Sequence, residues 1–165
     1  PDLQSIVTIM GRHKLQARLY KWSVNLATGA TKEGALDDRW NAEFPTWKNA
    51  AMGDRMRHAY CAHIEHEPVI TFPGLIKYDL ETGASEYYSE GPGYTYSEAP
   101  FAPATGGAVE DDGYVICFVR NAAREQSEVH IIDARNFTDG PVCKLILSCR
   151  VPEGFHATWA RGDLI

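Results

Sequence analysis

A short sequence pattern occurs three times in this chain at a constant interval of 54 residues. The first copy covers residues 22–31, the second 77–85, and a weaker third copy covers 129–140. The interval is measured between the Asn or Asp of each copy, which are Asn25, Asp79 and Asp133. A fixed internal period limits the possible folds more than any single motif, because every copy has to form the same structural unit.

Each copy predicts a β-hairpin. A strand ends at the Asn or Asp, a Gly closes the turn, and a second strand follows, such as residues 84–88 after the second turn. A unit of about fifty residues is the size of one four-stranded propeller blade, and larger than most solenoid coils. Three copies therefore predict about three blades of a β-propeller. The alternative is that a common hairpin turn recurs by chance.

The rest of the chain also favours strands. Aromatic and β-branched residues stand in short runs between Gly, Pro, Asn and Asp, as in an all-β domain, and residues 113–119 and 142–147 are further predicted strands. Three blades do not close a ring, and an open propeller exposes sheet edges. We therefore expect residues 1–165 to be one incomplete propeller domain whose upstream blades are missing. Pro1 in place of an initiator Met also indicates a processed product or a piece of a longer protein.

Composition excludes several classes of partner. The formal net charge is −6 and no segment concentrates Lys and Arg, so nucleic acid is not an expected partner. The sequence contains no apolar run long enough to span a bilayer and no leader-like N-terminus, so this part is expected to be soluble. The cysteines lack metal-site or CxxC spacing and are predicted to be buried, reduced thiols of a cytoplasmic protein: Cys61, Cys117, Cys143 and Cys149.

Two clusters of polar residues resemble metal sites at first sight. Residues 57–67 contain three histidines, but on an extended strand His58 and His63 point to opposite faces, so a polar surface strand is the better interpretation. Asp111-Asp112-Gly113 lacks the ligand spacing of a calcium loop and is predicted to be a hairpin turn. The sequence has no nucleophile elbow and no phosphate-binding loop, so acyl and phosphoryl transfer are not supported.

One further histidine stands near the end of the chain. His156 follows Pro152 and Gly154 and lies between two aromatic residues. Taken alone, such a histidine is more often a hydrogen-bonded core residue than a metal ligand.

In the residues around His156 and in several earlier segments, the chain resembles the carotenoid cleavage oxygenase family. This family includes carotenoid, apocarotenoid and lignostilbene dioxygenases and the retinal pigment epithelial membrane protein. The resemblance covers about residues 15–160, which would be the C-terminal third of such a protein. It rests on six elements in the family's order: Glu43-Phe44-Pro45, residues 53–60, Lys77-Tyr78-Asp79-Leu80, residues 98–103, Glu110-Asp111-Asp112-Gly113 and residues 151–159.

The resemblance implies a seven-bladed propeller that holds Fe²⁺ on four histidines, three of them hydrogen-bonded to glutamates. His156 matches the last iron ligand. Glu43 and Glu110 match glutamates that orient ligand histidines. The other three ligands would belong to blades that precede Pro1.

The implied reaction is cleavage of a carbon–carbon double bond by O₂ into two carbonyl products. The substrate would be a lipophilic or aromatic alkene, either a carotenoid, an apocarotenoid or a stilbene, and contact with membranes is left open. Since one histidine cannot hold the iron, we expect the isolated chain to bind no catalytic iron and to need the upstream blades. The alternative is a non-catalytic propeller fragment or interaction module.

Overall fold

The computed structural model describes residues 14, 16–66, 69–152, 154 and 156–162. These residues form eleven strands and two short 3-10 helices, Asn49–Ala51 and Ala134–Asp139, which confirms the predicted all-β fold. No helix in the described ranges has the length and apolar character needed to cross a membrane. The strands are β1 Tyr20–Val24, β2 Thr31–Ala35, β3 Ala42–Thr46, β4 His58–His63, β5 Leu75–Asp79, β6 Ser85–Tyr88, β7 Tyr94–Tyr96, β8 Phe101–Pro103, β9 Gly113–Asn121, β10 Gln126–Asp133 and β11 Pro141–Ile146.

The described strands form three antiparallel sheets. β1 pairs with β2, and β3, β4, β5 and β6 follow one another in a four-stranded sheet. In the third sheet the order is β11-β10-β9, and β7 and β8 pair one after the other along the remaining edge of β9. Since β7 and β8 together take the place of one strand, this sheet is also a four-stranded meander. Such meanders are the blades of propellers.

The first two copies of the repeat form the same turn in atomic detail. Asn25 Oδ1 accepts hydrogen bonds from the amides two and three residues ahead, at 3.0 and 3.1 Å, and Asp79 Oδ1 does the same at 2.9 and 3.1 Å. Gly29 and Gly83 close the two turns with φ angles of 72° and 74°, a region that favours glycine. Both turns join adjacent antiparallel strands, as the pattern predicts.

The third copy is also a hairpin, but its turn is longer. The 3-10 helix Ala134–Asp139 stands between Asp133 and Gly140. Phe137 in this helix is fully buried, and its ring centroid lies 6.2 Å from that of Tyr60 and 6.4 Å from that of Tyr88. The longer turn therefore carries an aromatic side chain from the third sheet into contact with the second sheet.

The second sheet is covered on both faces. One face packs against the third sheet in the larger hydrophobic core, and the other face packs in a smaller core. Because of this covering, β4 lies in the interior, and Ala59, Tyr60, Cys61 and Ala62 are all buried. The strand predicted within residues 57–67 is confirmed, but its expected position at the surface is wrong.

The cysteines divide into two pairs. Cys61 and Cys117 are buried and reduced, as predicted. Cys143 and Cys149 are exposed, so the prediction that they are buried is wrong. Cys143 lies on β11, which is the last strand of the third sheet and is mostly exposed, whereas Cys61 on β4 and Cys117 on β9 lie on strands in the middle of their sheets.

One face of the third sheet is uncovered in the described part of the chain. Along β9, buried and exposed residues alternate, so that Val115 and Val119 face the core while Tyr114 and Phe118 are exposed. In a closed propeller each blade is covered by a neighbour on both faces. An incomplete propeller would leave such a face open.

Candidate functional site

The C-terminal segment, which follows β11 from Leu147 onward, connects the two four-stranded sheets. It does so at one edge of each sheet, called the inner edge below. β3 is the first strand of the second sheet, and β7 with β8 takes that place in the third sheet. After β11 the chain turns back across the third sheet, where the amides of Leu147 and Val151 donate to Ser127 O and Ser127 Oγ, each at 2.9 Å. Farther on, Thr158 Oγ1 accepts from the side chain of Asn49 at 3.5 Å, just beyond β3. In a propeller these first strands face the central channel.

His156 lies where this segment meets both inner strands. Its Nδ1 is 3.5 Å from Oε2 of Glu98, which comes from the link between β7 and β8. The same Oε2 accepts a 2.6 Å hydrogen bond from the amide of Ala157. On the other side, the imidazole meets the ring of Phe44 edge-on, with centroids 5.7 Å apart. The histidine side chain is 80% exposed, whereas that of Glu98 is only 12% exposed.

Phe44 reaches His156 because β3 is irregular. The pairing of β3 with β4 shifts between Glu43 and Thr46, and Phe44 has a φ angle of 56°. A left-handed conformation is uncommon for a bulky residue and is found mainly where the surrounding structure enforces it. In this conformation the Phe44 ring also packs against Phe72, with centroids 5.5 Å apart. Phe44 is thus held between the C-terminal segment and the second sheet.

Glu43 stands next to Phe44, and its side chain is exposed. Its Oε2 accepts a hydrogen bond from the Phe44 amide at 3.1 Å. Burial raises the pKa of the Cys61 thiol to about 12, and the nearby Glu43 carboxylate adds to this increase. No described contact joins Glu43 to His156. Its predicted role beside a different ligand histidine stays a prediction, because that histidine would have to come from outside this chain.

Glu110 lies at the beginning of β4, and no described contact joins it to His156. Its carboxylate accepts from the amide of Arg57 at 2.9 and 3.0 Å and from the amide of His58 at 2.8 Å. Glu110 therefore caps the beginning of β4 and holds the turn before β9 against the second sheet. The carboxylate beside His156 is that of Glu98. The ligand-orienting role that the resemblance gives to Glu110 stays a prediction.

Sequence reasoning named the segment that contains Glu98 but not the residue itself. Residues 98–103 contribute to the family resemblance, and this segment and residues 110–113 each offer a glutamate close together on the same blade. The available signal was the order of strands, because a residue in the first strand of a blade lies nearer the axis than one in a connecting turn. Glu153 and Phe155, which belong to the motif around His156, lie outside the described residues.

A largely apolar pocket of about 360 Å³ opens beside His156. Its walls come from both sheets, from the segment before Phe72 and from the C-terminal segment. The residues that matter here are Phe44, Val69, Phe72, Phe118, Val151 and Glu98. A concave apolar surface with few polar groups is the usual form of a site for a small apolar molecule.

The surroundings of His156 fit one ligand position of a metal site. A histidine that binds a metal through one ring nitrogen usually has the other directed at a carboxylate or carbonyl, which sets its tautomer and orientation. With Nδ1 facing Glu98, the far nitrogen Nε2 is the atom left for a metal. The described residues contain no cluster of three or more metal-binding side chains. A metal bound at His156 would therefore need further ligands from outside the described residues.

Comparison with known proteins gives the same family throughout. The family model described as retinal pigment epithelial membrane protein matches residues 3–161. A carotenoid 9,10(9',10')-cleavage dioxygenase 1 of Pisum sativum is 33% identical over 160 residues, which cover 88% of this chain and 29% of that protein. The chain thus spans less than a third of the length of this relative.

Solved structures agree with the sequence comparison. A cobalt-substituted Synechocystis apocarotenoid oxygenase superposes with a TM-score of 0.80 at 26% identity, covering 88% of this chain and 30% of that one. A lignostilbene dioxygenase of Pseudomonas brassicacearum gives 0.81 at 26% identity, covering 91% and 34%. These neighbours are β-propellers, so the predicted fold class, about three blades of a propeller, is confirmed.

Proposed function

Because this chain belongs to the retinal pigment epithelial membrane protein family, a family of dioxygenase-type enzymes, we propose that it forms the C-terminal blades of an alkene-cleaving oxygenase. The whole protein would split one carbon–carbon double bond with O₂, each carbon of that bond taking one oxygen atom as a carbonyl. The observation that carries the proposal is the position of His156, which meets the inner strands of both blades with Glu98 at its Nδ1.

His156 would hold the metal through Nε2. Glu98 lies 3.5 Å from Nδ1 and accepts from the Ala157 amide, so it can keep the proton on Nδ1 and the ring in one orientation. Fe²⁺ bound by neutral imidazoles would supply an open coordination position for O₂ and a redox-active centre. The cobalt-substituted Synechocystis relative supports a metal site in this family. Glu43 is proposed to orient a second ligand histidine, which an upstream blade would provide.

The apolar pocket beside His156 supports an alkene as the substrate. Phe44 and Phe72 lie in contact at its wall, and Phe118 and Val151 line it as well. An extended hydrocarbon gains free energy by leaving water for such a surface, and the aromatic rings exclude water from the bond to be cleaved. The related proteins named above act on carotenoids or apocarotenoids or are lignostilbene dioxygenases. We propose one of these three substrate classes for the whole protein.

The isolated chain is proposed to be inactive. It contributes His156 alone among the ligands, and a single imidazole cannot retain a divalent metal against water and chelators. The exposed part of β9 at Tyr114, which does not line the pocket, would be covered by a further blade in the complete propeller. The alternative, a non-catalytic fragment, predicts that supplying the upstream blades restores neither metal binding nor activity.

The test uses the complete protein with its upstream blades. Iron content and O₂-dependent formation of aldehydes are measured for the wild type, His156→Ala and the control His63→Gln. His63 packs edge-on against Trp40 and Tyr87 on the far side of the second sheet and has no part in the proposed site. We expect His156→Ala to lose both iron and activity, and the control to keep both. Full iron content and activity in His156→Ala would exclude the proposal.

A further inference from the structure

The inner strand of the third sheet is interrupted just where it presents Glu98. Tyr96 at the end of β7 pairs with Val119, and Phe101 at the start of β8 pairs with Val115. Four residues of the inner strand, 97–100, therefore stand opposite three of β9. This is a β-bulge, an extra residue that bends the strand and changes the direction of the side chains near it.

Two hydroxyl groups satisfy the backbone of this bulge. Ser97 Oγ donates to Glu98 O at 2.7 Å and accepts from the Phe118 amide at 3.0 Å, so it bridges the bulge to β9. Thr46 Oγ1 donates to Ala99 O at 2.6 Å from β3 of the neighbouring sheet. The interruption takes the carbonyls of Glu98 and Ala99 out of the regular ladder, and the two hydroxyls donate the hydrogen bonds that these carbonyls accept instead.

The ends of the bulge are tied to β9 by ordinary backbone bonds. The Ser97 amide donates to Phe118 O at 2.9 Å, and the Ile116 amide donates to Pro100 O at 3.1 Å. Between these two anchors, the hydrogen bonds from described residues to the carbonyls of Glu98 and Ala99 come from the hydroxyls of Ser97 and Thr46. Thr46 also follows Phe44 by two residues on β3, so it connects the strand that carries Phe44 to the segment that carries Glu98.

We propose that Ser97 and Thr46 are positioning residues, whose hydroxyls hold the bulge that directs the Glu98 carboxylate at His156. The inference rests on the proposed function. Successive side chains of a strand alternate between faces, so a bulge that slips by one residue turns Glu98 away from His156. Its Oε2 would then lose both the ring contact at 3.5 Å and the 2.6 Å bond from Ala157, and the imidazole would lose the group that orients it.

The test uses the complete protein and measures metal affinity by competition with a chelator, along with thermal stability. Ser97→Ala and Thr46→Val remove the hydroxyls, and Ser97→Thr and Thr46→Ser retain them. Loss of a group that supports a metal ligand typically weakens metal binding by about 10- to 100-fold. We expect that loss in the first pair, near-normal affinity in the second pair, and a similar loss in Glu98→Gln.

Ser89→Ala is the matched control. Ser89 Oγ also donates to a backbone carbonyl, that of Pro73 at 2.6 Å, and accepts a backbone amide, that of Gly91 at 3.0 Å. It therefore makes the same pair of bonds as Ser97, in a loop that does not contact His156. We expect this variant to lose stability comparably while its metal affinity stays that of the wild type.

The outcomes separate the two proposals. If His156→Ala loses the metal while Ser97→Ala and Thr46→Val bind it as tightly as Ser89→Ala does, the hydroxyls are only structural and this inference is wrong. If His156→Ala keeps the metal, the proposed function itself fails. Loss of affinity in the two hydroxyl-free variants, with recovery in Ser97→Thr and Thr46→Ser, supports the positioning role.

Discussion

The ion pair between Lys77 and Asp111 offers a quantitative test of how the two four-stranded sheets are joined. Lys77 belongs to β5, and its Nζ donates to Asp111 Oδ2 at 3.0 Å and to Ala134 O at 2.7 Å. Both acceptors come from the third-sheet part of the chain. The side chains are only 7% and 17% exposed, so the ammonium group lies between the sheets and away from water.

Because the ammonium group is buried, removing Asp111 should lower the free energy of unfolding strongly. Asp111→Ala leaves the buried ammonium with one neutral carbonyl, and breaking a buried pair from one side typically costs about 3–5 kcal/mol. The pair Arg55–Glu81 is the matched control, because its side chains are 84% and 40% exposed at a similar distance of 2.9 Å. An exposed pair contributes only about 0–1 kcal/mol. Glu81→Ala should therefore have a small effect.

The assay is urea unfolding followed by tryptophan fluorescence, for Asp111→Ala, Lys77→Met, the double variant and Glu81→Ala. The double variant should be more stable than the sum of the single effects predicts, because it no longer contains an uncompensated charge. Equal m-values are required for the comparison. If Asp111→Ala lowers the free energy of unfolding no more than Glu81→Ala does, the reasoning that burial makes this pair costly to break is refuted.

Two further predictions concern thiol reactivity and acid stability. Burial raises the pKa of Cys61 and of Cys117 to about 12, so iodoacetamide at neutral pH should modify the exposed Cys143 and Cys149 first, as mapped by mass spectrometry; equal rates at all four would contradict the structure. Burial would raise the pKa of Glu90, but hydrogen bonds from Lys144 and Tyr88 outweigh it and hold the pKa below its usual value near 4.5. Since the folded-state pKa is depressed, the pair stabilises the fold above about pH 4.5 and this contribution is lost as the pH falls through the folded-state pKa. Melting temperatures of the wild type and Glu90→Gln should therefore differ at neutral pH and converge in acid, and a constant difference would rule the linkage out.

The hairpin turns of the repeat could be predicted because they depend on neighbouring residues. Asn25 and Asp79 bond to amides two and three positions ahead, and Gly29 and Gly83 supply the positive φ angle that the turn requires. The turn glycine expected at Gly113 is needed for another reason. A Cβ atom there would lie 2.4 Å from Ala102 O and 2.5 Å from the Phe101 ring, so the residue allows two strands to approach.

The candidate site was predicted in part. His156 was named from its motif, and the structure places it at the inner edges of both blades. The carboxylate beside it was not identified, because Glu98 and Glu110 both stand in motifs of the family resemblance on one blade. The bulge between β7 and β8 directs Glu98 at the ring, while Glu110 binds the amides at the start of β4. Both arrangements also need contacts between residues more than fifty positions apart, Thr46 with Ala99 and Glu110 with His58.

The sequence by itself predicted a repeated hairpin and an all-β fold, whereas His156 was singled out as a metal ligand only through the family resemblance. The hairpin and the fold class depend on side chains acting on their own backbone or on the next few residues, and such interactions can be read directly along a sequence. Which strands are buried, which thiols are exposed and which glutamate meets His156 were decided only when separate sheets packed together. The groups involved, Glu98 and Ala157 for example, are 59 residues apart, and only the folded chain brings them within bonding distance.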